Sequence, residues 1–347
     1  MRTSDEPTEN PNFDHVRTNR NWRNARFWFS IVLLGSLFLV PMLSDMGGED
    51  YYTSLFSRIV ILALAATGVG LIISFCGMLS FGHSLYVGLG AYAVGMLSEY
   101  GVTSGYLQIV IVLSACVLVA VPVGAICLRT RGMAFIMITL AFAQMAYSLA
   151  IGLQAFGGED GFQLAKRSDF YLFRFDSDAS IYYASLTVLV ITLALIARLV
   201  HSRFGVIIRA AKSNEDRLSA LGVPAFRYKL TAYVISAVMC AVSGFLLANA
   251  TRFISPSYLY WIMSGDLIVM AVLGGLGTIV GPVVGALVVI LIETLLSGLD
   301  LGLPPAIESF VSSHWLAFLG AVILCVSLFL RQGLVGWIPG ARQESKP

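Results

Sequence analysis

The chain has 347 residues, of which 57% are hydrophobic and only 12% charged, and its formal net charge is +2. Its mean hydropathy is +0.82. A soluble globular domain carries about 25% charged residues, so the composition excludes one and predicts a polytopic membrane protein. The small net charge is uninformative about partners, and the distribution of charge along the chain is more useful.

A polar tail, residues 1–26, comes first and holds five arginines ahead of an apolar run that begins at Phe27. A secretory signal has a short charged start, a brief apolar core and a cleavage site of small residues. We therefore expect an uncleaved first span, with Trp22 and Trp28 at the membrane interface.

Uncharged runs predict the transmembrane helices, because roughly 20 apolar residues in a helix cross a bilayer core. The sequence predicts an all-α fold with about ten spans. They are 27–44, 59–78, 79–98, 106–127, 132–153, 179–197, 230–251, 267–279, 280–297 and 314–330. The pairs in 59–98 and 267–297 lack a polar loop and must turn inside or at the edge of the membrane. Nine spans, or two re-entrant hairpins, remain alternatives.

Basic residues predict the orientation. With an even number of spans both termini share one side, and a cytoplasmic N-terminus places 17 of the 22 Lys and Arg residues inside. This agrees with the positive-inside rule. The predicted organisation is a cytoplasmic tail at 1–26, a permease domain at 27–331 with a cytoplasmic loop at 198–229, and a second cytoplasmic tail at 332–347.

The loop at 198–229 contains the pattern of a short capped helix, 214–221. Ser213 with Asp216 resembles a capping box, and acidic residues favour the first turn. Gly222 and the following Pro224 end the helix. Leu218 and Leu221, three residues apart, are expected on one face. The loop is either a basic segment held at the lipid surface or a docking helix for a soluble partner; its candidate residues are Ser213, Glu215, Asp216, Leu218, Leu221 and Gly222.

Two glycine-rich stretches break the apolar runs. The first is SFCGMLSFGHSLYVGLGAY at 74–92, where Ser80 or Ser84 could cap a half-helix after Gly82. The second is VLGGLGTIVGPVVGA at 272–286. Broken helices at membrane depth accompany transport pathways, but small-xxx-small spacing also serves plain helix packing. The candidate hinge or pathway residues are Ser80, Gly82, His83, Ser84, Gln144, Gly274, Gly275, Gly277, Gly281 and Glu293.

Catalytic and metal-binding patterns are missing from the sequence. No two histidines are four residues apart, the five cysteines form no C-x-x-C pair, and no serine-hydrolase elbow or ATP-binding P-loop occurs. His83 is expected either to pack or to gate. Glu293 is the one acid deep in an apolar run, and such acids are functional by default unless they lie at a wet end of the span. No charge pair within the predicted spans suits an amino acid.

Five collinear blocks resemble a known family. GMLSFGHSLYVGLGAY (77–92) and LRTRGMAFIMITLAFAQM (128–145) look like signatures of the permease subunits of branched-chain amino-acid ABC importers, the LivM type. The other similar blocks are at 157–162, 209–246 and 269–286. The tail and the last fifty residues match little.

The resemblance implies a translocation subunit without enzymatic activity. It implies a second, related permease chain, two cytoplasmic ATPases that bind ATP and Mg²⁺, and an extracytoplasmic substrate-binding protein, with no cofactor bound by this chain. The helix at 214–221 would then be the coupling helix to the ATPases, and the break at 77–84 a joint beside the pathway, in the bacterial inner membrane.

The substrate stays open. Related permeases carry urea or short amides, and the binding protein sets most of the selectivity in such systems. A stand-alone transporter coupled to protons or sodium would need acids in its spans, where only Glu293 and the span-edge Asp266 qualify. A membrane enzyme is disfavoured by the missing catalytic cluster.

Overall fold

Apolar helices build nearly all of the computed structural model, which describes residues 32–41, 50–164, 166–170, 177–298, 317–318, 320–321, 324 and 333–336. The helices are α1 (Val32–Pro41), α2 (Asp50–Leu71), α3 (His83–Glu99), α4 (Gly105–Cys127), α5 (Met133–Gly152), α6 (Asp178–His201), α7 (Arg203–Ser213), α8 (Glu215–Ala220), α9 (Ala225–Thr251), α10 (Trp261–Gly274), α11 (Gly281–Gly298) and α12 (Gly333–Gly336). A π-helical turn, Ile72–Cys76, continues α2.

The described part of the chain holds five helices that are long and apolar enough to cross a membrane: Tyr51–Cys76, Gly105–Cys127, Met133–Gly152, Asp178–His201 and Ala225–Thr251. Shorter apolar helices are Val32–Pro41, Trp261–Gly274 and Gly281–Ser297. The all-α, membrane-spanning prediction is confirmed. The predicted spans 27–44 and 314–330, the tail 1–26 and most of 332–347 fall wholly or partly outside the described residues.

Helices α2, α3 and α9 form the centre of the bundle, and α3 packs against α9 more extensively than any other described pair. Glycines allow this packing. A Cβ atom at Gly244 of α9 would overlap the carbonyl oxygen of Val87, and one at Gly90 of α3 would overlap that of Ala241. Small residues that let helix backbones approach are the usual basis of helix association in membranes.

Buried hydroxyls also join the central helices. Ser236 Oγ donates to the carbonyl oxygen of Gly68 at 2.6 Å, and Ser243 Oγ donates to that of Ile61 at 2.9 Å. Because polar groups at membrane depth must find partners inside the protein, these bonds fix α9 against α2.

Two opposite ends of the bundle collect the connecting segments. One end, the α8 end, holds α7, α8, the α4–α5 connection, the α2–α3 break (residues 77–82), the α10–α11 turn (residues 275–280) and α12. At the other end, the β1 strand Phe162–Gln163 pairs antiparallel with the β2 strand Phe253–Ile254. The segments 128–131 and 198–229, which the count of basic residues placed on one side of the membrane, thus lie together at one end of the bundle.

Helix boundaries depart from the predicted spans mainly at α2 and α10. α2 begins at Asp50, nine residues before the uncharged run at 59, because a single charge such as Arg58 does not stop a helix. α10 begins at Trp261 and ends at Gly274. Gly277 therefore lies in the turn before α11, whereas Gly281 and Gly285, at four-residue spacing, lie on α11.

Candidate functional site

The α2–α3 break starts at Gly77, whose φ of +69° places it in the left-handed region that favours glycine. The backbone amide of Gly77 donates to the carbonyl oxygen of Ile72 and closes the π-helical turn. α3 then begins at His83. A helix that breaks within the bundle leaves free backbone groups, and surrounding residues satisfy several of them.

The predicted cap of α3 by Ser80 or Ser84 is wrong. The helix cap residue is Gly82, with no side-chain hydrogen bond from it. Ser80 Oγ instead accepts from the Gly82 amide at 3.2 Å. The amide of Ser84 donates to the hydroxyl oxygen of Ser264 on α10, 2.8 Å away. A side chain from a distant helix, which no local pattern predicts, thus satisfies the first turn of α3.

Gly82 lies against α5. A Cβ atom there would be 3.0 Å from the carbonyl oxygen of Thr139, and Thr139 Oγ1 accepts from the Phe81 amide at 3.2 Å. Gln144, further along α5, is half-buried and makes no side-chain hydrogen bond within the part of the chain that the structure describes. The structure therefore brings Ser80, Gly82 and Ser84 together and leaves Gln144 apart from their hydrogen bonds.

His83 is fully buried. Its Nε2 atom lies 3.0 Å from Ser236 Oγ, and its ring stacks edge-on against Tyr86 and Tyr233 at centroid distances of 6.0 and 5.6 Å. The Tyr86 hydroxyl donates to that of Tyr233 at 3.1 Å. These contacts suit the packing role that the sequence left open for His83 beside a gating role.

The α10–α11 turn is closely packed. Gly275 and Gly277 have φ values of 121° and 87°. A Cβ atom at Gly274 would overlap the carbonyl oxygen of Gly281, so α10 and α11 touch at their backbones. The Gly277 amide donates to Ser74 Oγ at 3.1 Å. The two glycine-rich breaks, 203 residues apart in sequence, are therefore in direct contact.

Lys212, near the end of α7, lies over the α2–α3 break. Its Nζ atom donates to the carbonyl oxygen of Ser74 at 2.8 Å. A cation at the C-terminal end of a helix is favourable because the last carbonyl groups carry partial negative charge. Sequence reasoning counted Lys212 only as one basic residue of the loop and missed this role.

α8 is confirmed as a short capped helix, but its cap differs from the prediction. The Asn214 side chain accepts from the Arg217 amide at 2.9 Å, whereas Ser213 is the last residue of α7. Two acids, Glu215 and Asp216, lie in the first turn. Gly222 has a φ of +79° after the helix end, as expected for a glycine that terminates a helix.

The two leucines of α8 do not share a face. Leu218 is 8% exposed and packs with Ala211 and Ala225, while Leu221, which caps the helix, is 75% exposed. The prediction of a joint apolar face is wrong, because residue 221 has left the helix and turned outward. Leu218 holds α8 to the bundle, and Leu221 is available to another molecule.

Glu215 anchors α8 to neighbouring segments. Its carboxylate lies 2.6 Å from Lys229 Nζ on α9 and 3.5 Å from Arg131 on the α4–α5 connection. Asp216 lies 3.8 Å from Arg131. α8 is thus tied to α9, to the α4–α5 connection and, through α7 and Lys212, to the end of α2 at the α2–α3 break.

At the opposite end, Glu293 of α11 is 26% exposed and pairs with Arg58 of α2 at 3.4 Å. Arg58 lies just before the predicted span 59–78, so this pair was not among the charge pairs considered within the predicted spans. Because α2 continues through Arg58, a residue assigned to a loop by its charge lies on a transmembrane helix. Asp266, on α10, is exposed.

A family model described as the permease component of a branched-chain amino acid transport system matches residues 51–327. The chain belongs to this family. The match spans both helix breaks, α8 and the Arg58–Glu293 pair, so all of the candidate regions lie within the matched residues. It confirms the resemblance inferred from the sequence blocks and identifies the chain as a multi-pass membrane transport permease.

Individual members of the permease family are similar to the chain at low identity. The high-affinity branched-chain amino acid transport system permease protein LivM of Escherichia coli (strain K12) is 24% identical over 342 residues, covering 92% of this chain and 76% of that protein. LivM of Salmonella typhimurium is 25% identical over 346 residues, with the same shares covered. LivH of E. coli K12 is 25% identical over 301 residues, covering 79% of this chain and 91% of that protein. No solved structure matches the chain.

Proposed function

We propose that the chain is one of two permease subunits of an ATP-driven importer and forms half of the translocation pathway for branched-chain amino acids. The observation that carries this proposal is the arrangement at the α8 end. A capped helix with an exposed Leu221 is tied by ion pairs to two connecting segments and through Lys212 to the α2–α3 break. Such a helix can receive a partner's movement and transmit it to a joint in the membrane.

The proposal includes the orientation and the partners. The α8 end faces the cytoplasm of a bacterial cell, because the loop 198–229 and the α4–α5 connection carry nine of the 13 Lys and Arg residues in the described part of the chain. Two ATPase subunits dock there and hold ATP and Mg²⁺, a second related permease completes the pathway, and an extracytoplasmic binding protein delivers the substrate. The similarity to both LivM and LivH supports a pair of related permeases.

Copurification tests the assembly. The tagged chain, solubilised in mild detergent, should retain a second permease and two ATPases, identified by mass spectrometry. Replacing Glu215 to Leu221 with a Gly/Ser linker should release the ATPases but leave the second permease bound. Recovery of the chain alone, together with uptake into liposomes without ATP, would replace the importer with an ion-coupled transporter.

Uptake by the purified assembly tests the substrate. Proteoliposomes that contain ATP and receive the binding protein should accumulate leucine, isoleucine or valine. Accumulation of urea or a short amide instead would keep the importer mechanism and overturn the amino-acid substrate.

A further inference from the structure

A cavity of about 260 Å³ opens at the end of the bundle opposite α8, between α2, α6, α9 and α11. Ligand pockets for drug-sized molecules span roughly 300–1,000 Å³, so this cavity suits a smaller molecule. Its lining residues are Tyr51, Ser54, Leu55, Ser57, Arg58, Asp178, Ile181, Leu247, Ala250, Thr251, Glu293, Thr294 and Ser297.

Opposite charges face each other in this cavity. Arg58 and Glu293 lie 3.4 Å apart, and their side chains are 51% and 26% exposed. A half-exposed ion pair is weak, so a ligand that offers each partner a new counter-charge can separate the two at little cost. Asp178, the remaining charged lining residue, is already paired with Arg167.

The wall beside the ion pair combines apolar and polar groups. Ile181 and Leu247 are buried and supply an aliphatic surface. Ser57, which is 3% exposed, lines the cavity, and its buried hydroxyl group has no hydrogen-bond partner among the described residues. Buried polar groups are nearly always satisfied, so this hydroxyl lacks a partner that a ligand could supply once it separates Arg58 from Glu293.

We propose that this cavity is a binding site for the zwitterion of a small aliphatic α-amino acid, an inference that rests on the proposed function. The ligand's carboxylate pairs with Arg58 and its ammonium group with Glu293. The Ser57 hydroxyl completes the hydrogen bonds to these charged groups, and the aliphatic side chain packs on Ile181 and Leu247. Urea carries no formal charge, so it could form hydrogen bonds with Arg58 and Glu293 but would offer neither of them a counter-charge.

The test measures binding of radiolabelled L-leucine to the nucleotide-free complex, with both permeases and the ATPases present, in nanodiscs. The deciding variant is Ser57→Ala. Loss of a hydrogen bond to a charged group should raise the dissociation constant roughly ten-fold or more. Since the hydroxyl has no partner within the described structure, the change should not lower thermal stability.

Ser185→Ala is the matched control. Ser185 on α6 is fully buried and its hydroxyl likewise lacks a partner among the described residues, but it does not line the cavity. Its removal should leave leucine binding unchanged. Equal effects of both variants would show a general packing change and overturn the site.

Ligand analogues test the two charges. 4-Methylpentanoate lacks the ammonium group and 3-methylbutylamine lacks the carboxylate, so neither should compete with leucine in the unaltered complex. Glu293→Gln should weaken the binding of leucine. The affinity for 4-methylpentanoate should then be closer to that for leucine. Glu99→Gln, an exposed acid near the same end, is the control for charge.

The outcomes separate this site from the proposed function. In one outcome the complex imports leucine, but its Ser57→Ala and Glu293→Gln variants bind leucine as tightly as the unaltered complex does. The proposed binding site is then wrong, and the importer function stands. If the complex binds no leucine directly, the site is wrong whatever is transported. If leucine binds as described but is not imported, the site stands and the transport function is wrong.

Discussion

The ammonium group of Lys212 donates a hydrogen bond to the backbone carbonyl oxygen of Ser74, 2.8 Å away and 138 residues earlier in the chain. Lys212 is two residues before Asn214, which caps α8. Ser74 in turn accepts from the amide of Gly277 through its hydroxyl. One lysine therefore connects the helix proposed to contact the ATPases with both glycine-rich breaks of the membrane domain.

Lys212→Met should reduce ATP-driven uptake about ten-fold or more while the complex still assembles and hydrolyses ATP. Methionine retains most of the aliphatic stem but removes the cation that the end of the helix binds. Uptake and ATPase activity in the same proteoliposomes measure the coupling. Lys212→Arg, which keeps a cation, should recover part of the uptake. Normal uptake by the methionine variant would show that this contact does not transmit movement.

Gly77→Ala tests the packing of Lys212 on the break. An alanine there adopts an unfavourable positive φ, which costs about 1–2 kcal/mol, and its Cβ atom would lie 2.8 Å from Lys212 Cγ. The methyl group should displace the lysine and lower both stability and uptake.

Gly101→Ala is the control for Gly77→Ala. Gly101 has a φ of +77° but no atom within 4 Å of the added methyl group. Thermal unfolding in detergent should show a smaller loss for this variant and no loss of uptake. Equal effects at the two positions would show that only backbone strain matters.

The sequence predicted much of this fold for identifiable reasons. Long uncharged runs located the spans, and glycine clusters within them located both breaks. The acidic residues Glu215 and Asp216 and the following Gly222 located α8. Each of these features is local, so neighbouring residues alone determine it.

The contacts that define the candidate sites could not be predicted in this way. Ser264 satisfies the first turn of α3, and Lys212 reaches the end of α2, because of how distant helices pack. Arg58 was assigned to a loop because a charge ends an uncharged run, although the helix continues through it. Its partner Glu293 is 235 residues away, and only the packing of α2 on α11 brings them together.

Gly244→Ala should destabilise the centre of the bundle. The added methyl group overlaps the carbonyl oxygen of Val87 and forces α9 away from α3, and overpacking of this kind costs about 1–3 kcal/mol. Gly152→Ala on α5, where nothing lies within 4 Å, should be neutral or slightly stabilising. Thermal unfolding of both variants measures the difference. A stable Gly244→Ala variant would contradict the close helix approach.

Leu221→Asp should release the ATPases without unfolding the permease. Leu221 is 75% exposed, so a charge there costs the isolated chain little, but an apolar contact with a partner would be lost. Copurification of the ATPases measures the association, and thermal unfolding measures the fold.

Leu218→Ala is the complementary change on α8. Leu218 is 8% exposed, and truncating a buried leucine costs about 2–5 kcal/mol, here reduced because the surrounding cluster is small. This variant should lower stability and loosen α8, so that ATPase binding falls only together with the melting temperature.

If the Leu221→Asp variant retains the ATPases in full, the outward-facing leucine is not part of the docking surface. The search would then move to the exposed basic residues around α8, of which Arg217 lies on the helix itself.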